Sequence, residues 1–150
     1  MGEDERMTET QRLTLAIIKP DAFGAGKAGA VLSALEDAGF RVRGARVVRL
    51  SPRAAEAFYA VHRERPFFDS LVAFMTSGPC MPLALEHEGA VAYLRTVIGA
   101  TDPAEAAPGT IRARYAESKE RNAIHASDSD ENARTELAFF FGAVDLIAAG

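Results

Sequence analysis

The spacing of apolar residues changes several times along this chain, and that alternation limits the folds open to it. A β-rich apolar run over residues 13–18 stops before Pro20, as expected of a first strand. Apolar residues then recur at helical spacing over residues 28–38, and Gly39 follows as a natural helix end. Residues 40–50 return to a period of two, which predicts a second strand.

The same alternation continues towards the end of the chain. Ser51-Pro52 and Ser129 are typical helix starts, with serine as the N-cap. After residue 50 the pattern predicts, in order, helices over 52–62 and 66–75, a strand over 80–86, a helix over 89–97, an irregular stretch over 99–120, a strand over 122–124 and a helix over 129–141. Pro82 is awkward inside a strand, and a local bulge is the only account the sequence offers.

This order of elements predicts an α+β fold. The best match is a ferredoxin-like split βαβ arrangement, a four-stranded antiparallel sheet with helices packed on it. A doubly wound parallel sheet fits less well, because the strands are few and one connection is a helical hairpin. A chain of 150 residues has room for one domain. We expect a flexible tail over residues 1–10 and a single domain over residues 11–150.

Composition and charge exclude several classes of protein. Hydrophobic residues make up 48% of the chain and charged residues 25%, as in soluble globular proteins. A formal charge of −4 argues against a specific nucleic-acid partner. The apolar runs are short and interrupted, and the first residues are charged, so we expect neither a membrane partner nor a signal segment. The single cysteine, Cys80, excludes an intramolecular disulfide and fits a reducing cytosol, which favours a cytoplasmic location.

Residues 24–29 match the G-x-G-x-x-G pattern of dinucleotide-binding folds, but their context does not fit it. That fingerprint requires the turn directly after the strand and an acidic residue about 20 positions later. Here Lys19-Pro20-Asp21 intervene, and the second strand offers arginines. The segment also fails as a Walker A loop, because Ala28 stands where a magnesium-binding Ser or Thr is needed. We interpret residues 24–29 as a flexible turn.

The chain contains three histidines, so any histidine chemistry must use His62, His87 or His125. His62 closes a predicted helix, where it suits the negative end of the helix dipole. His87 lies between two glutamates in a predicted turn and is expected to be solvated. His125 follows a short apolar strand and precedes a capped helix, so its backbone is held near helix-N-terminal amides. A rigid imidazole there suits phosphate chemistry, although these residues alone leave a structural role equally open.

Three basic residues stand where they could meet a phosphate. Lys19 ends the first strand, Arg95 lies in the helix before the irregular stretch, and Arg112 lies within that stretch. Arginine suits phosphate because its planar fork donates two parallel hydrogen bonds. Taken singly, each is more often a surface charge. Phe67 could supply a ring that stacks on a base, although core packing is the simpler interpretation.

Taken together, seven segments in order resemble the nucleoside diphosphate kinase family over residues 12–141. They are Ala16-Ile17-Ile18-Lys19-Pro20-Asp21, Phe58-Tyr59-Ala60-Val61-His62, Arg65-Pro66-Phe67-Phe68, Ser77-Gly78-Pro79, Gly99-Ala100-Thr101-Asp102-Pro103-Ala104, Pro108-Gly109-Thr110-Ile111-Arg112 and Asn122-Ala123-Ile124-His125-Ala126-Ser127-Asp128-Ser129. The resemblance implies transfer of the γ-phosphate of a nucleoside triphosphate to a nucleoside diphosphate by a ping-pong mechanism. His125 would be the nucleophile and Glu136 the carboxylate that orients it, and Lys19 and Tyr59 would complete the catalytic group.

The resemblance also implies the binding roles. Phe67 would stack on the base, which suits a site that accepts many bases. Asn122 and Lys19 would contact the sugar. The implied phosphate contacts are Lys19, Arg95, Thr101 and Arg112. Mg²⁺ would be bound through the nucleotide phosphates, bridging β and γ, and no side chain is assigned to a metal. The family forms homo-oligomers, tetramers or hexamers built from a common dimer.

Four residues depart from the family pattern. Ala126 replaces a usual glycine, which is harmless at negative φ and strained at positive φ. Arg114 adds a positive charge beside the phosphate loop, Lys119 stands where an apolar residue usually faces the base, and Pro82 interrupts a strand. The alternatives are a catalytically silent, nucleotide-binding or scaffolding relative and a ferredoxin-like RNA-binding module. The second is weaker because no strand carries the paired aromatic residues of an RNP motif.

Overall fold

A computed structural model of the protein describes residues 12–146. The strands are β1 (Leu13–Ile18), β2 (Arg41–Ala45), β3 (Met81–Glu86) and β4 (Ile124–Ala126). The helices are α1 (Pro20–Gly24), α2 (Ala28–Asp37), α3 (Pro52–Phe58), α4 (Phe68–Met75), α5 (Ala90–Ile98), α6 (Ile111–Tyr115), α7 (Asp130–Phe140) and α8 (Ala143–Leu146), with 3₁₀ turns at Ala60–His62 and Pro103–Glu105. The tail expected over residues 1–10 lies outside the described residues.

The four strands form one sheet in the order β2-β3-β1-β4, and every neighbouring pair is antiparallel. This is the predicted ferredoxin-like arrangement. β1 is central, and its side chains alternate between two apolar layers. Ala16 and Ile18 pack in the layer that holds α2 and α5, whereas Leu15 and Ile17 pack in the layer that holds α4 and α7. Both faces of the sheet are therefore covered by helices.

Several boundaries in the fold differ from those predicted. The stretch over residues 99–120 was expected to be irregular, but it contains a 3₁₀ turn and α6. The strand expected over residues 122–124 begins at Ile124, so His125 lies inside β4 and pairs with Ile17 of β1. The helix expected to reach His62 ends as an α-helix at Phe58. These differences matter because they fix the backbone of His125 in a sheet.

Pro82 lies in β3 without breaking the β1–β3 register. Its carbonyl accepts a hydrogen bond from the Arg46 N–H on the β2 side, at 3.1 Å. In an antiparallel sheet, the backbone nitrogen and the carbonyl oxygen of one residue point towards the same neighbouring strand. The nitrogen of Pro82 therefore also faces β2. There β2 has already ended, and pairing resumes only at an isolated bridge at Val48. The bulge lies in β2, between Val42 and Gly44, so the expectation of a bulge at Pro82 was wrong.

The serine caps are as predicted. The side chains of Ser51 and Ser129 accept hydrogen bonds from the backbone N–H groups of Ala54 and Asn132. Cys80 is buried with a free thiol, and burial raises its pKa to about 11. Among residues 12–146, none of the helices combines the length and apolar character needed to cross a bilayer.

Candidate active site

The imidazole of His125 projects from β4 and is held by a carboxylate on α7. Its Nε2 lies 2.6 Å from Oε1 of Glu136, and Ser127 Oγ donates to the same oxygen at 2.8 Å. Ser127 is fully buried, and Glu136 lies on the α7 stripe that also holds buried Ala133 and Phe140. A carboxylate on such a stripe needs a partner, and His125 and Ser127 supply it.

This contact decides which ring nitrogen is free. A carboxylate accepts hydrogen bonds, so Nε2 of His125 carries the proton in the neutral ring and Nδ1 holds the lone pair. Within residues 12–146, the geometry gives Nδ1 no hydrogen-bond partner. The ring is also fixed edge-on against Phe58 and Tyr59, with centroid separations of 5.5 and 6.3 Å. The site therefore presents one oriented nucleophilic nitrogen.

Lys19 lies between β1 and α1 and is almost fully buried. Its Nζ donates to Oδ1 of Asn122 at 2.9 Å, so these two predicted site residues are in direct contact. Burial, together with the positive charge of Arg112, lowers the pKa of Lys19 from 10.5 to about 8, although Asp21 and Glu120 oppose the shift. A buried cation without a full counter-charge favours an anionic ligand.

Arg112 is the second buried cation. Its guanidinium donates to the carbonyls of Gly99 at 3.1 Å and Ile124 at 2.7 Å, while its buried Nε has no protein partner in the described structure. Burial and the nearby charge of Arg95 lower its pKa to about 10. Arg112 is thus fixed by backbone oxygens, and one of its buried donors remains unpaired within the described structure.

Gly99 shapes the loop that holds Arg112. Its φ is +89°, and a β-carbon there would lie 2.5 Å from Oγ1 of Thr110. Thr110 is the N-cap of α6, and its side chain accepts a hydrogen bond from the Ala113 N–H. The end of α5 and the start of α6 therefore touch at this glycine.

Tyr59 is 5% exposed, and its buried hydroxyl has no hydrogen-bond partner among the described residues. Burial raises its pKa above the usual value, so the phenol stays protonated. A protonated phenol can donate one hydrogen bond but cannot act as a base.

The other predicted site residues are exposed. Phe67 is 46% exposed, and its ring lies 5.5 Å from that of His62. Arg95 and Thr101 are also exposed, and Thr101 contributes its backbone oxygen to Asn122 at 3.4 Å. Among the described residues, ring contacts connect Phe67 to His125 through His62 and Tyr59.

The structure shows the surroundings of the residues that depart from the family pattern. Ala126 lies in β4 and is not among the residues with positive φ, so it is unstrained. Arg114 stacks over Tyr115 at 5.1 Å and is exposed, as is Lys119. The residue with positive φ in this segment is Ala123, at +73°. The local strain therefore sits two residues before His125.

His87 was expected to be solvated, and that expectation was wrong. Its ring stacks on Tyr93 at 4.3 Å and lies 5.3 Å from Phe40, and Nδ1 is 2.7 Å from the carbonyl oxygen of Glu88. These contacts tie the β3–α5 turn to the start of β2. His87 has a packing role there.

Sequence reasoning missed Ser127 and Asp21, although both lie in the quoted segments. Ser127 is two residues after His125, so strand alternation could have placed both on one face. Asp21 accepts a hydrogen bond from the Ala123 N–H at 3.0 Å across 102 positions of sequence. No local pattern signals a contact over that separation.

No group of three or more metal-ligating side chains occurs in residues 12–146. The described site instead converges two buried cations, a buried phenol and an oriented imidazole. Such donors match phosphate oxygens rather than a bare metal ion.

Comparison with known proteins gives a consistent result. The family model described as nucleoside diphosphate kinase matches residues 12–146. A nucleoside diphosphate kinase of Chlorobaculum parvum is 56% identical over 134 residues, which cover 89% of this chain and 96% of that protein. One from Chlorobium chlorochromatii is 57% identical over the same length.

Solved structures agree. The Aquifex aeolicus nucleoside diphosphate kinase superposes with a TM-score of 0.88 at 45% identity, covering 91% of this chain and 99% of that chain. The halophilic enzyme of Halobacterium salinarum, solved in complex with CDP, gives a TM-score of 0.87 at 36% identity, covering 93% of each chain.

Proposed function

Because the chain belongs to the nucleoside diphosphate kinase family, we propose that Nδ1 of His125 carries the phosphoryl group between nucleotides. The activity is transfer of the γ-phosphate of a nucleoside triphosphate to a nucleoside diphosphate. The observation that supports His125 is its 2.6 Å contact with Glu136, which places the proton on Nε2 and leaves Nδ1 as the nucleophile.

The buried cations bind the phosphates in this proposal. Lys19 and Arg112 are desolvated without a full counter-charge, so binding of a polyanion between them is favourable. In the described part of the chain, Nε of Arg112 has no protein hydrogen-bond partner. Arg95 and Thr101 are exposed and extend the phosphate contacts towards solvent. Asn122, bonded to Lys19, contacts the sugar.

The chemical step is an in-line displacement. The Nδ1 lone pair of His125 attacks the γ-phosphorus, the bond from phosphorus to the β–γ bridging oxygen breaks, and its electron pair leaves with the diphosphate. The ring keeps its Nε2 proton and gains positive charge, which the Glu136 carboxylate stabilises. The Tyr59 hydroxyl donates to the transferred group, and the acceptor diphosphate then reverses the step.

The family's activity is generally dependent on a divalent cation. We propose that Mg²⁺ would be bound through the nucleotide phosphates, and membership of the family supports this. The ion would neutralise charge that develops on those oxygens. Lys19 and Arg112 then orient the nucleotide from the protein side.

Phe67 binds the base in this proposal, because its exposed ring can stack on any base. A pyrimidine nucleotide, CDP, is bound by the Halobacterium salinarum relative. We expect purines and pyrimidines to be accepted here too, with Lys119 on the other side of the base.

We also propose a cytoplasmic homo-oligomer, a tetramer or hexamer built from dimers, with no specific nucleic-acid or membrane partner. The resemblance to the family supports the assembly. The mass of the protein in solution, measured by light scattering, tests it: a monomer would contradict this proposal.

Covalent labelling tests the proposed nucleophile. After incubation with γ-labelled ATP and Mg²⁺, the protein should carry an acid-labile, base-stable label that ADP or CDP removes. His125→Gln should carry none, whereas His62→Gln and His87→Gln should remain labelled. Label persisting in His125→Gln would contradict the assignment, and nucleotide binding without any label would indicate a silent relative.

A further inference from the structure

We propose that Asp21 is a positioning residue that holds a strained turn and thereby sets both His125 and the partner of Lys19. The proposal rests on the proposed phosphohistidine function and adds to it a residue that contacts no reacting atom. The turn lies immediately before β4.

Ala123 is the centre of a γ-turn. Its φ is +73°, and the Ile124 N–H donates to the carbonyl of Asn122 at 2.9 Å. This conformation is rare and strained for a residue with a β-carbon, so it persists only where surrounding contacts impose it. Ala123 is fully buried, which excludes solvent as the source of those contacts.

Two contacts from the start of α1 impose the turn. Oδ2 of Asp21 accepts the Ala123 N–H at 3.0 Å, and the Lys19 N–H donates to the Ala123 carbonyl at 2.9 Å. Both polar backbone groups of the strained residue are therefore satisfied from the Lys19-Pro20-Asp21 segment. Of the two, the Asp21 contact is made by a side chain and can be removed by substitution.

The turn has a functional residue on each side. Asn122 precedes it and accepts the hydrogen bond from Nζ of Lys19, while His125 follows in β4. If the turn relaxed, Asn122 would leave Lys19 and the start of β4 would shift. A shift of about 1 Å at a reacting group can cost on the order of 100-fold in rate.

The Asp21 carboxylate is only partly satisfied by the described protein. Its other oxygen, Oδ1, is buried without a hydrogen-bond partner in the described part of the chain, which is unfavourable for a carboxylate. Two interactions offset this cost: the charge of Lys19, whose protonated form Asp21 favours, and the hydrogen bond from the Ala123 N–H.

The test compares phosphorylation of the full chain at saturating ATP and Mg²⁺, by rapid quench and acid-labile label. Asp21→Ala removes the acceptor and should slow phosphorylation roughly 10- to 100-fold. Asp21→Asn keeps an acceptor, and the phosphates of bound ATP favour the charged form of Lys19 in place of the lost carboxylate, so this variant should retain a rate close to wild type. Asp37→Ala, an exposed aspartate at the end of α2, is the matched control and should change nothing.

A second substitution tests whether strain at Ala123 causes the loss of rate. Glycine adopts positive φ without strain, so Ala123→Gly should restore most of the rate lost in Asp21→Ala. An unchanged rate in Asp21→Ala, a double variant as slow as Asp21→Ala, or an equally slow Asp21→Asn would each overturn the role. If Asp21→Ala does not fold, the double variant must fold and phosphorylate for the role to stand.

The outcomes separate this role from the function on which it rests. A labelled wild type with any of those three patterns overturns the role of Asp21 alone. A wild type that acquires no label overturns both.

Discussion

At the scale of single residues, the site depends on one carboxylate that fixes one ring. Glu136 accepts hydrogen bonds from both His125 and Ser127 on the same oxygen, so the imidazole is held in one tautomer and one orientation. In the proposed mechanism the negative charge of Glu136 also matters after the transfer, because a ring phosphorylated at Nδ1 with a proton on Nε2 would be positively charged.

Removing that charge should slow phosphorylation without unfolding the protein. We expect Glu136→Gln to lower the single-turnover rate by on the order of 100-fold, because the amide can still accept a hydrogen bond but cannot balance the charged ring. Ser127→Ala should cost less, since the carboxylate remains. Glu131→Gln, an exposed substitution on the same helix, is the control. An unchanged rate in Glu136→Gln with an unchanged melting temperature would contradict this role.

Phe67 should contribute affinity and no folding energy. Its ring is 46% exposed, so Phe67→Ala removes little buried surface but eliminates base stacking. We expect nucleotide binding to weaken by roughly 1–3 kcal/mol, more for purines than for pyrimidines. Calorimetric titration with ADP and CDP measures this. Val61→Ala, 82% exposed in the same hairpin, should leave the affinity unchanged. A lowered melting temperature with unchanged affinity would show that Phe67 is a packing residue.

Some residue contacts could be foreseen and others could not. The need of Glu136 for a partner follows from its place on an apolar stripe, and that inference requires only helical periodicity. The contact of Asp21 with Ala123 joins chain segments that only the folded sheet brings together. The strain at Ala123 was likewise invisible, because alanine carries no sequence signal for positive φ.

At the scale of elements, long periodic segments were predicted accurately, whereas of the short ones β4 was predicted about two residues too early and α6 was missed. β1 and α2 were foreseen to within a residue, since each shows several repeats of its own period. α6 spans five residues and β4 three, too few for any period to appear. β4 exists because β1 offers it an open edge, which is a property of the sheet.

The contact between α5 and α6 should be sensitive to a single methyl group. Gly99→Ala would place a β-carbon against Thr110 at positive φ, so we expect a loss of roughly 1–3 kcal/mol in stability. Because Arg112 donates to the Gly99 carbonyl, the KM for nucleotide should also rise. Urea unfolding and steady-state kinetics measure the two effects.

Gly29→Ala provides the control for Gly99→Ala. Gly29 lies in α2, and the position that an alanine β-carbon would take there is open space, so the substitution should be neutral or stabilising. If Gly99→Ala proved as stable and active as Gly29→Ala, the close approach of α5 and α6 would have no role in holding Arg112.

At the scale of the whole molecule, one sheet brings distant residues to a common point. Lys19 follows β1, His125 lies in β4, Glu136 lies on α7, and β1 pairs directly with β4. The antiparallel order was predictable because few strands and one helical hairpin leave few alternatives. Which side chains would then be desolvated together was not predictable, because burial of Lys19 and Arg112 depends on how closely the layers pack.

The burial of Lys19 makes the stability of the free protein depend on pH. In the unfolded chain Lys19 has its ordinary pKa of 10.5, and in the free native state a pKa of about 8. Between these values the unfolded state binds more protons, so this group makes the free protein more stable as pH rises from about 8. Nucleotide phosphates next to Lys19 favour its charged form and should raise the pKa again.

Stabilisation by ADP should therefore fall as pH rises above about 8, because binding then requires uptake of a proton by Lys19. The limiting slope is about one log unit of affinity per pH unit between about pH 8 and 9.5. Thermal shifts with ADP and Mg²⁺ between about pH 7 and 9.5 measure this, and calorimetry at about pH 8.5 in buffers of different ionisation enthalpy should show proton uptake. Lys19→Met should bind weakly with no such slope. A flat affinity profile in the wild type, or an equal slope in Lys19→Met, would place the titrating group elsewhere.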